Sequence, residues 1–174
     1  MNGNSVIVFE TGRLLLRQQS PDDLVRLWDF LQDPENIRHY RDAPGTIEEV
    51  KRELDWDLGW YLKNNGLGKW AIIHRKTGRL IGLCSLLPWT VDGTEEMEMA
   101  YILSPEFRGQ GLGTELSQAV LHYGFEKLNL SRIVSLIEPD NLPSRRVVEK
   151  IGMKFEKESK DEYGCLLLYS FNKV

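Results

Sequence analysis

The sequence predicts an α/β fold, and three observations carry that reading. Amphipathic helical patterns dominate the first third of the chain, and β-rich runs fill its middle and end. Between about residues 96 and 138 a strand, a glycine-rich loop, a helix and a second strand follow in order. At 174 residues, 41% hydrophobic and 28% charged, the chain fits one ordinary globular domain, 1–174, with one well-formed core. No internal repeat, low-complexity tract or Pro/Gly/Ser linker divides it.

The elements follow from the N-terminus. "SPDDLVRLWDFL" starts a helix, with Ser20 as N-cap, Pro21 at the first helical position and Asp23 three residues after the cap. Leu24, Leu27, Trp28 and Leu31 give it one apolar face. "TIEEVKRELDWDLGWYL" opens on a capping pair, Thr46 and Glu49, and carries an apolar row of Ile47, Val50, Leu54, Leu58 and Tyr61. Trp56 and Trp60 lie four apart on another face, where they either line a groove or pack ordinarily. "KWAIIHRKTGRLIGLCSLL" reads as a hairpin around Lys76-Thr77-Gly78. Pro88 to Gly93 reads as a connection and "EEMEMAYIL" as the next strand. A helix is expected from about Thr114 to Asn129, then a buried strand "RIVSLIE", a short helix "LPSRRVVEKIG" closed by Gly152, and a last strand "CLLLYSF".

Composition excludes several functions. Twenty-two Lys plus Arg against 26 Asp plus Glu give a net charge of -4, which offers no global pull toward nucleic acid or anionic membrane. The opening "MNGNSVIVFETGR" has an apolar run of only four residues, Val6 to Phe9, and no stretch approaches a bilayer span. A soluble, cytoplasmic protein is expected. Cys84 and Cys165 read as buried free thiols, and with His39, His74 and His122 they show no metal-ligand spacing, so no metal is expected.

The chemistry centres on "PEFRGQGLGTEL". Gly109, Gly111 and Gly113 allow several backbone N–H groups to point one way, and the following helix adds the positive end of its dipole. Arg108 supplies a charge and Thr114 a hydroxyl. A phosphate or pyrophosphate suits that loop. The dinucleotide fingerprint G-x-G-x-x-G fails, because Thr114 stands where its third glycine belongs, and only 36 residues follow Glu138, too few for a doubly wound sheet. A P-loop fails for want of its lysine.

Arg108-Gly109-Gln110-Gly111-Leu112-Gly113 is similar to the R/Q-x-x-G-x-G/A loop of the GNAT superfamily of acetyl-coenzyme A-dependent N-acetyltransferases. "NLPSRRVVEKIGM" resembles that family's N-x-x-S/A…E-K-x-G-F segment. "EMAYIL" and "TGRLLLRQQSPDD" resemble the branch of ribosomal-protein N-terminal acetyltransferases. The resemblance runs from about Glu10 to the C-terminus. It implies a mixed, mostly antiparallel, strongly twisted sheet with helices on both faces and a splayed parallel strand pair, 96–103 and 132–138, that holds the coenzyme. Acetyl-CoA would be the cosubstrate. Backbone groups of Ile102 and Leu103 would pair with its pantetheine, and Arg108, Gly109, Gln110, Gly111, Leu112, Gly113 and Thr114 would take the pyrophosphate. Asn141 and Ser144 would face the sulfur end. Arg145, Arg146 and Lys150 would meet the nucleotide phosphates, or Arg146 and Lys150 form a solvated face.

Acetyl transfer to an amine needs a base for the amine proton, a donor for the carbonyl oxygen and a proton for the leaving thiolate. Glu96 and Glu98 share a strand face, and a buried carboxylate there has the raised pKa a base requires. Glu98 matches the glutamate of the family's E-x-G/A-Y strand and ranks first, with Glu96 second and Glu158 and Glu162 behind them. The position where many members carry a general-acid tyrosine holds Val148, which leaves Ser144 as the nearest hydroxyl. Trp56, Trp60 and Trp89 are candidate walls for the acceptor, with Asp57 and Asp92 to attract its charge. The acceptor is a small-molecule amine or a protein N-terminus, and the protein a monomer or homodimer that binds neither nucleic acid nor membrane. Two other functions fit the residues less well: a non-catalytic acyl-CoA sensor or scaffold, suggested by Val148, and a nucleotide-dependent oxidoreductase.

Overall fold

The structure, a computed structural model, describes residues 6–64, 66–161 and 164–173. Among the described residues eight strands form one mixed sheet in the order β1-β2-β3-β4-β5-β6-β8-β7. The strands are β1 (Ile7–Glu10), β2 (Leu14–Gln18), β3 (Gly68–His74), β4 (Arg79–Val91), β5 (Thr94–Leu103), β6 (Arg132–Ile137), β7 (Lys154–Asp161) and β8 (Gly164–Asn172). The helices are α1 (Leu24–Leu31), α2 (Pro34–Ile37), α3 (Ile47–Tyr61), α4 (Leu112–Glu126) and α5 (Leu142–Lys150). β1–β2, β2–β3, β6–β8 and β7–β8 pair antiparallel, whereas β5 and β6 run parallel. The expected mixed, mostly antiparallel sheet is therefore present.

Chain contacts divide the molecule into two compact units: residues up to Ser85 with Tyr101–Gly109, and Leu86–Ala100 with Gln110 onward. In the first unit α1 and α3 bury Leu27, Phe30, Leu31, Val50 and Leu54 against Leu83 of β4. Each such leucine contributes about 1.5–3 kcal/mol by leaving water. The capping box at Ser20 forms as expected, but Pro21–Asp23 is a 3-10 turn and the α-helix begins one turn later at Leu24. Arg17 pins that turn through two bonds to Asp23, 2.6 and 2.7 Å. Thr46 caps α3 by accepting from Glu49 N–H.

In the second unit the far end of β4, the start of β5, α4, β6, α5, β7 and β8 pack together. β4 runs straight through Pro88 to Val91, so the expected long connection is only the two-residue turn Asp92-Gly93. Both turn residues have positive φ, 49° and 78°, the geometry that matches the twist of the flanking strands. Val91 then packs on Val134 and Leu168, and the turn is tied to β7 by Asp92–Lys157 at 2.6 Å and Ser159–Asp92 at 2.9 Å. α4 starts at Leu112, two residues before the expected Thr114, because Gly111 serves as its N-cap. Cys84 is buried as expected; Cys165 is only half-buried, near the start of β8. Among the described residues no helix is long and apolar enough to cross a membrane.

Candidate functional site

The glycine loop has the donor set of an anion site. Gly109 and Gly111 sit at φ 72° and 78°, left-handed values that residues with a Cβ adopt at a cost, and nothing lies within 4 Å of where a Gly109 Cβ would stand. With Gly111 at the N-cap, no side chain caps α4. The amides of Leu112, Gly113 and Thr114 open the helix and so have no intrahelical acceptor. Their N–H groups and the helix dipole favour an anion at the end of the exposed loop. A pyrophosphate-bearing coenzyme suits that chemistry.

Arg108 departs from its expected part. Its guanidinium donates to two backbone carbonyls, Nε to Leu103 at 2.8 Å and Nη2 to Glu35 at 2.7 Å. It braces the end of β5 and the start of the loop, with its charge already engaged by carbonyl dipoles. Ile102 turns its carbonyl toward Gly82 on β4, so close that only glycine fits there. Leu103, which alternates to the other edge, has its carbonyl taken by Arg108. The Leu103 carbonyl is therefore engaged by Arg108, and that of Ile102 lies close against Gly82.

Within the second unit, β5 and β6 meet with Glu98 opposite Val134. Glu98 therefore leaves the sheet on the same face as Val134, where Val91, Leu136 and Leu168 are also gathered. Burial pushes the Glu98 carboxyl up to about 7, moderated by a hydrogen bond from the Leu136 N–H. Glu96, its neighbour on that face, is held by Arg132 through bonds of 2.9 and 3.1 Å. The same guanidinium takes Glu156 of β7 at 2.8 Å through each of two nitrogens. Of the strand pair, Glu96 is engaged in an ion pair with Arg132, whereas the Glu98 carboxyl is the one pushed up toward neutrality. The adjacent Ser135, buried in β6, donates to the Met99 carbonyl at 2.8 Å.

Asn141 is the N-cap of α5, its side chain accepting from the Ser144 N–H at 3.2 Å. That bond orients Ser144, which is half-buried with its hydroxyl at the first turn. Arg145 is occupied: Nε donates to the Tyr169 hydroxyl at 3.3 Å and Nη1 to the Pro139 carbonyl at 3.0 Å. Arg146 and Lys150 are exposed. Val148 is buried among apolar groups, so the position holds a packing residue with no proton to give. Glu158 points from an exposed stretch of β7, and Glu162 lies outside the described residues.

On α3, Trp56 and Trp60 stack with ring centroids 5.2 Å apart and planes 18° off parallel, and Trp56 is 56% exposed. Trp89, on β4 in the other unit, is 50% exposed. The two aspartates expected to attract the acceptor are spoken for. Asp57 is buried between Gln19, 3.0 Å away, and Lys69, 3.6 Å away, while Asp92 is paired with Lys157. Sequence reading missed Arg132, Ser135 and the Leu136 amide. The one signal for Ser135 is a lone hydroxyl in the apolar run "RIVSLI".

Comparison with known proteins follows the same lines. Residues 13–154 match the family model described as the acetyltransferase (GNAT) domain. YnaD of Bacillus subtilis (strain 168), named an uncharacterized N-acetyltransferase, is 30% identical over 146 residues, which span 84% of this chain and 82% of YnaD. A GNAT-family acetyltransferase from Bacillus anthracis superposes with a TM-score of 0.78 at 24% identity, covering 94% of this chain and 96% of the other. RimL, a ribosomal L7/L12 alpha-N-protein acetyltransferase, superposes with a TM-score of 0.81 at 16% identity, covering 97% and 95%.

Proposed function

The chain belongs to the GNAT acetyltransferase family and is an acetyl-CoA-dependent N-acetyltransferase, and from that premise we propose that Glu98 is the general base for direct attack by a primary amine. Acetyl-CoA supplies the acetyl group activated as a thioester. Glu98 takes the amine proton as the N–C bond forms and the C–S bond breaks. Ser144, oriented by Asn141, gives the departing sulfur its hydrogen bond. The α4 amides hold the coenzyme's pyrophosphate, with Gly109 and Gly111 letting the backbone reach it. No covalent enzyme intermediate is required.

The observation that carries this reading is the Glu98 carboxyl: half-buried, pushed up to about 7 by loss of solvent, and opposite Val134 where β5 runs parallel to β6. A base with that pKa is half ionised at neutral pH and changes state within the working range. The test is thiol release from acetyl-CoA with a panel of primary amines that includes a polyamine and a peptide with a free N-terminus. Turnover should rise with pH through about 7 in the wild type. Glu98→Gln should lower kcat by about 100-fold or more and leave acetyl-CoA affinity within about threefold. An unchanged rate and pH profile would remove Glu98 from the chemistry. Ser144→Ala should lower kcat more than affinity; an affinity loss alone reassigns it to binding.

A further inference from the structure

Glu98 lies opposite Val134 in a parallel ladder, and the Met99 carbonyl faces β6, where the Ser135 hydroxyl meets it. In that pattern the next β6 amide aimed at β5 belongs to Leu136, and the β5 carbonyl it would meet is that of Met99. Neither group makes that bond. The Leu136 N–H goes to the Glu98 carboxylate, and the Met99 carbonyl accepts from the Ser135 hydroxyl at 2.8 Å. One ladder bond has been opened and each half satisfied by a side chain from the opposite strand. Ser135 is 4% exposed and Met99 2%, so water does not substitute freely for either partner.

We propose that Ser135 is a positioning residue: its hydroxyl occupies the Met99 carbonyl and so reserves the Leu136 N–H for Glu98. Without the hydroxyl, the Met99 carbonyl is a buried acceptor with no donor, and the nearest backbone donor is the amide that serves Glu98. The ladder then closes by one bond, and Glu98 loses the hydrogen bond that favours its ionised form. The charged groups borne by the surrounding strands do not take its place. Glu96 and Glu156 are paired with Arg132, and Asp92 with Lys157. The catalytic meaning of this arrangement rests on Glu98 being the base; the arrangement itself does not.

The test is therefore spectroscopic and needs neither coenzyme nor acceptor. Glutamate side-chain carboxyls labelled with ¹³C are titrated by NMR, with Glu98→Gln assigning the resonance, and the Leu136 amide proton is followed over the same pH range. In the wild type the Leu136 amide shift should titrate together with the Glu98 carboxyl. In Ser135→Ala the carboxyl should titrate about one pH unit higher and the Leu136 amide should cease to follow it. Ser135→Thr, which keeps the hydroxyl, should restore both signals. If Ser135→Ala does not fold, Ser135→Cys, with its weaker donor, should give an intermediate shift. A Glu98 titration unchanged in the alanine or cysteine variant, or a wild-type Leu136 amide blind to it, would overturn the proposal. Kinetics of Glu98→Gln judge the base separately, so the two readings fail by different measurements.

Discussion

Arg132 on β6 holds Glu96 of β5 through two hydrogen bonds and Glu156 of β7 through two more, and also donates to Asn172 of β8 at 3.3 Å, so one guanidinium ties four strands of the second unit together. Arg132 and then Ser170 hold the Glu156 carboxyl down to about 2. Unfolded, that carboxyl titrates near 4.5, so its stabilising contribution is complete above about pH 4.5 and is lost as pH falls through about 2. Arg132→Gln should therefore lower Tm by a few degrees at pH 7, since partly exposed pairs contribute about 1 kcal/mol each at most. Thermal melts at pH 7, 4 and 3 should show the gap between variant and wild type narrowing with acidity. An equal gap at all three would assign the loss to packing alone.

Glu98 has the opposite sign. Burial raises its pKa from 4.5 to about 7, so the fold favours the protonated acid; that preference is complete below about pH 4.5 and is lost as pH rises through about 7. Above that, the buried charge costs as much as about 3 kcal/mol, since each pKa unit corresponds to about 1.4 kcal/mol. Gln does not ionise and its amide oxygen can still accept from Leu136. Glu98→Gln should leave Tm unchanged near pH 5 and raise it by several degrees at pH 8.5. A variant less stable than wild type at pH 8.5 would mean that the carboxylate is solvated in the native state.

The glycine loop separates binding from stability. Gly111 has φ 78°, so Gly111→Ala strains the turn by about 1 kcal/mol and moves the first amides of α4. Acetyl-CoA affinity by calorimetry should fall about tenfold or more, with Tm lower by only a few degrees. Gly59, in the last turn of α3 with nothing within 4 Å of where a methyl group would stand, is the control. Gly59→Ala should stabilise by about 0.5–1 kcal/mol and leave affinity alone. Equal affinity in both variants would separate the loop from the coenzyme.

Local signals made much of this legible. The Ser20 and Thr46 caps, the 3.6-residue rows of α1, α3 and α4, and the glycine spacing each act over a few residues, and all are found in place. What stayed hidden depends on partners distant in sequence. β7 reads "KFEKESKD", seven of its eight residues exposed, and is a strand because β8 pairs with it. Pro88 looks like a break but sits inside β4. Arg108 is next to the glycines, yet the carbonyl it grips at Glu35 is 73 residues away. Ser135 and Leu136 gain their significance only from the register of β5 against β6.

Asp57 shows how far a sequence neighbour can mislead, for it lies beside the exposed Trp56 yet is turned inward against Lys69 and Gln19. Burial raises the Asp57 carboxyl while Lys69 opposes the rise, and Tyr40, Asp57 and Glu53 hold the Lys69 ammonium above its ordinary value against the same burial. Removing Lys69 alone leaves the buried Asp57 charge uncompensated, whereas removing both takes that charge away as well. Lys69→Met should cost about 3–5 kcal/mol in urea unfolding at pH 7. Lys69→Met/Asp57→Leu should recover at least half of it, because Gln19 keeps its second acceptor, the Lys69 carbonyl at 3.1 Å. The single variant should lose less at pH 4, where the stranded Asp57 takes up a proton. A cost below about 1 kcal/mol at pH 7 would mean that Glu53 and solvent already satisfy both charges, and that Asp57 is open enough to serve an incoming amine after all.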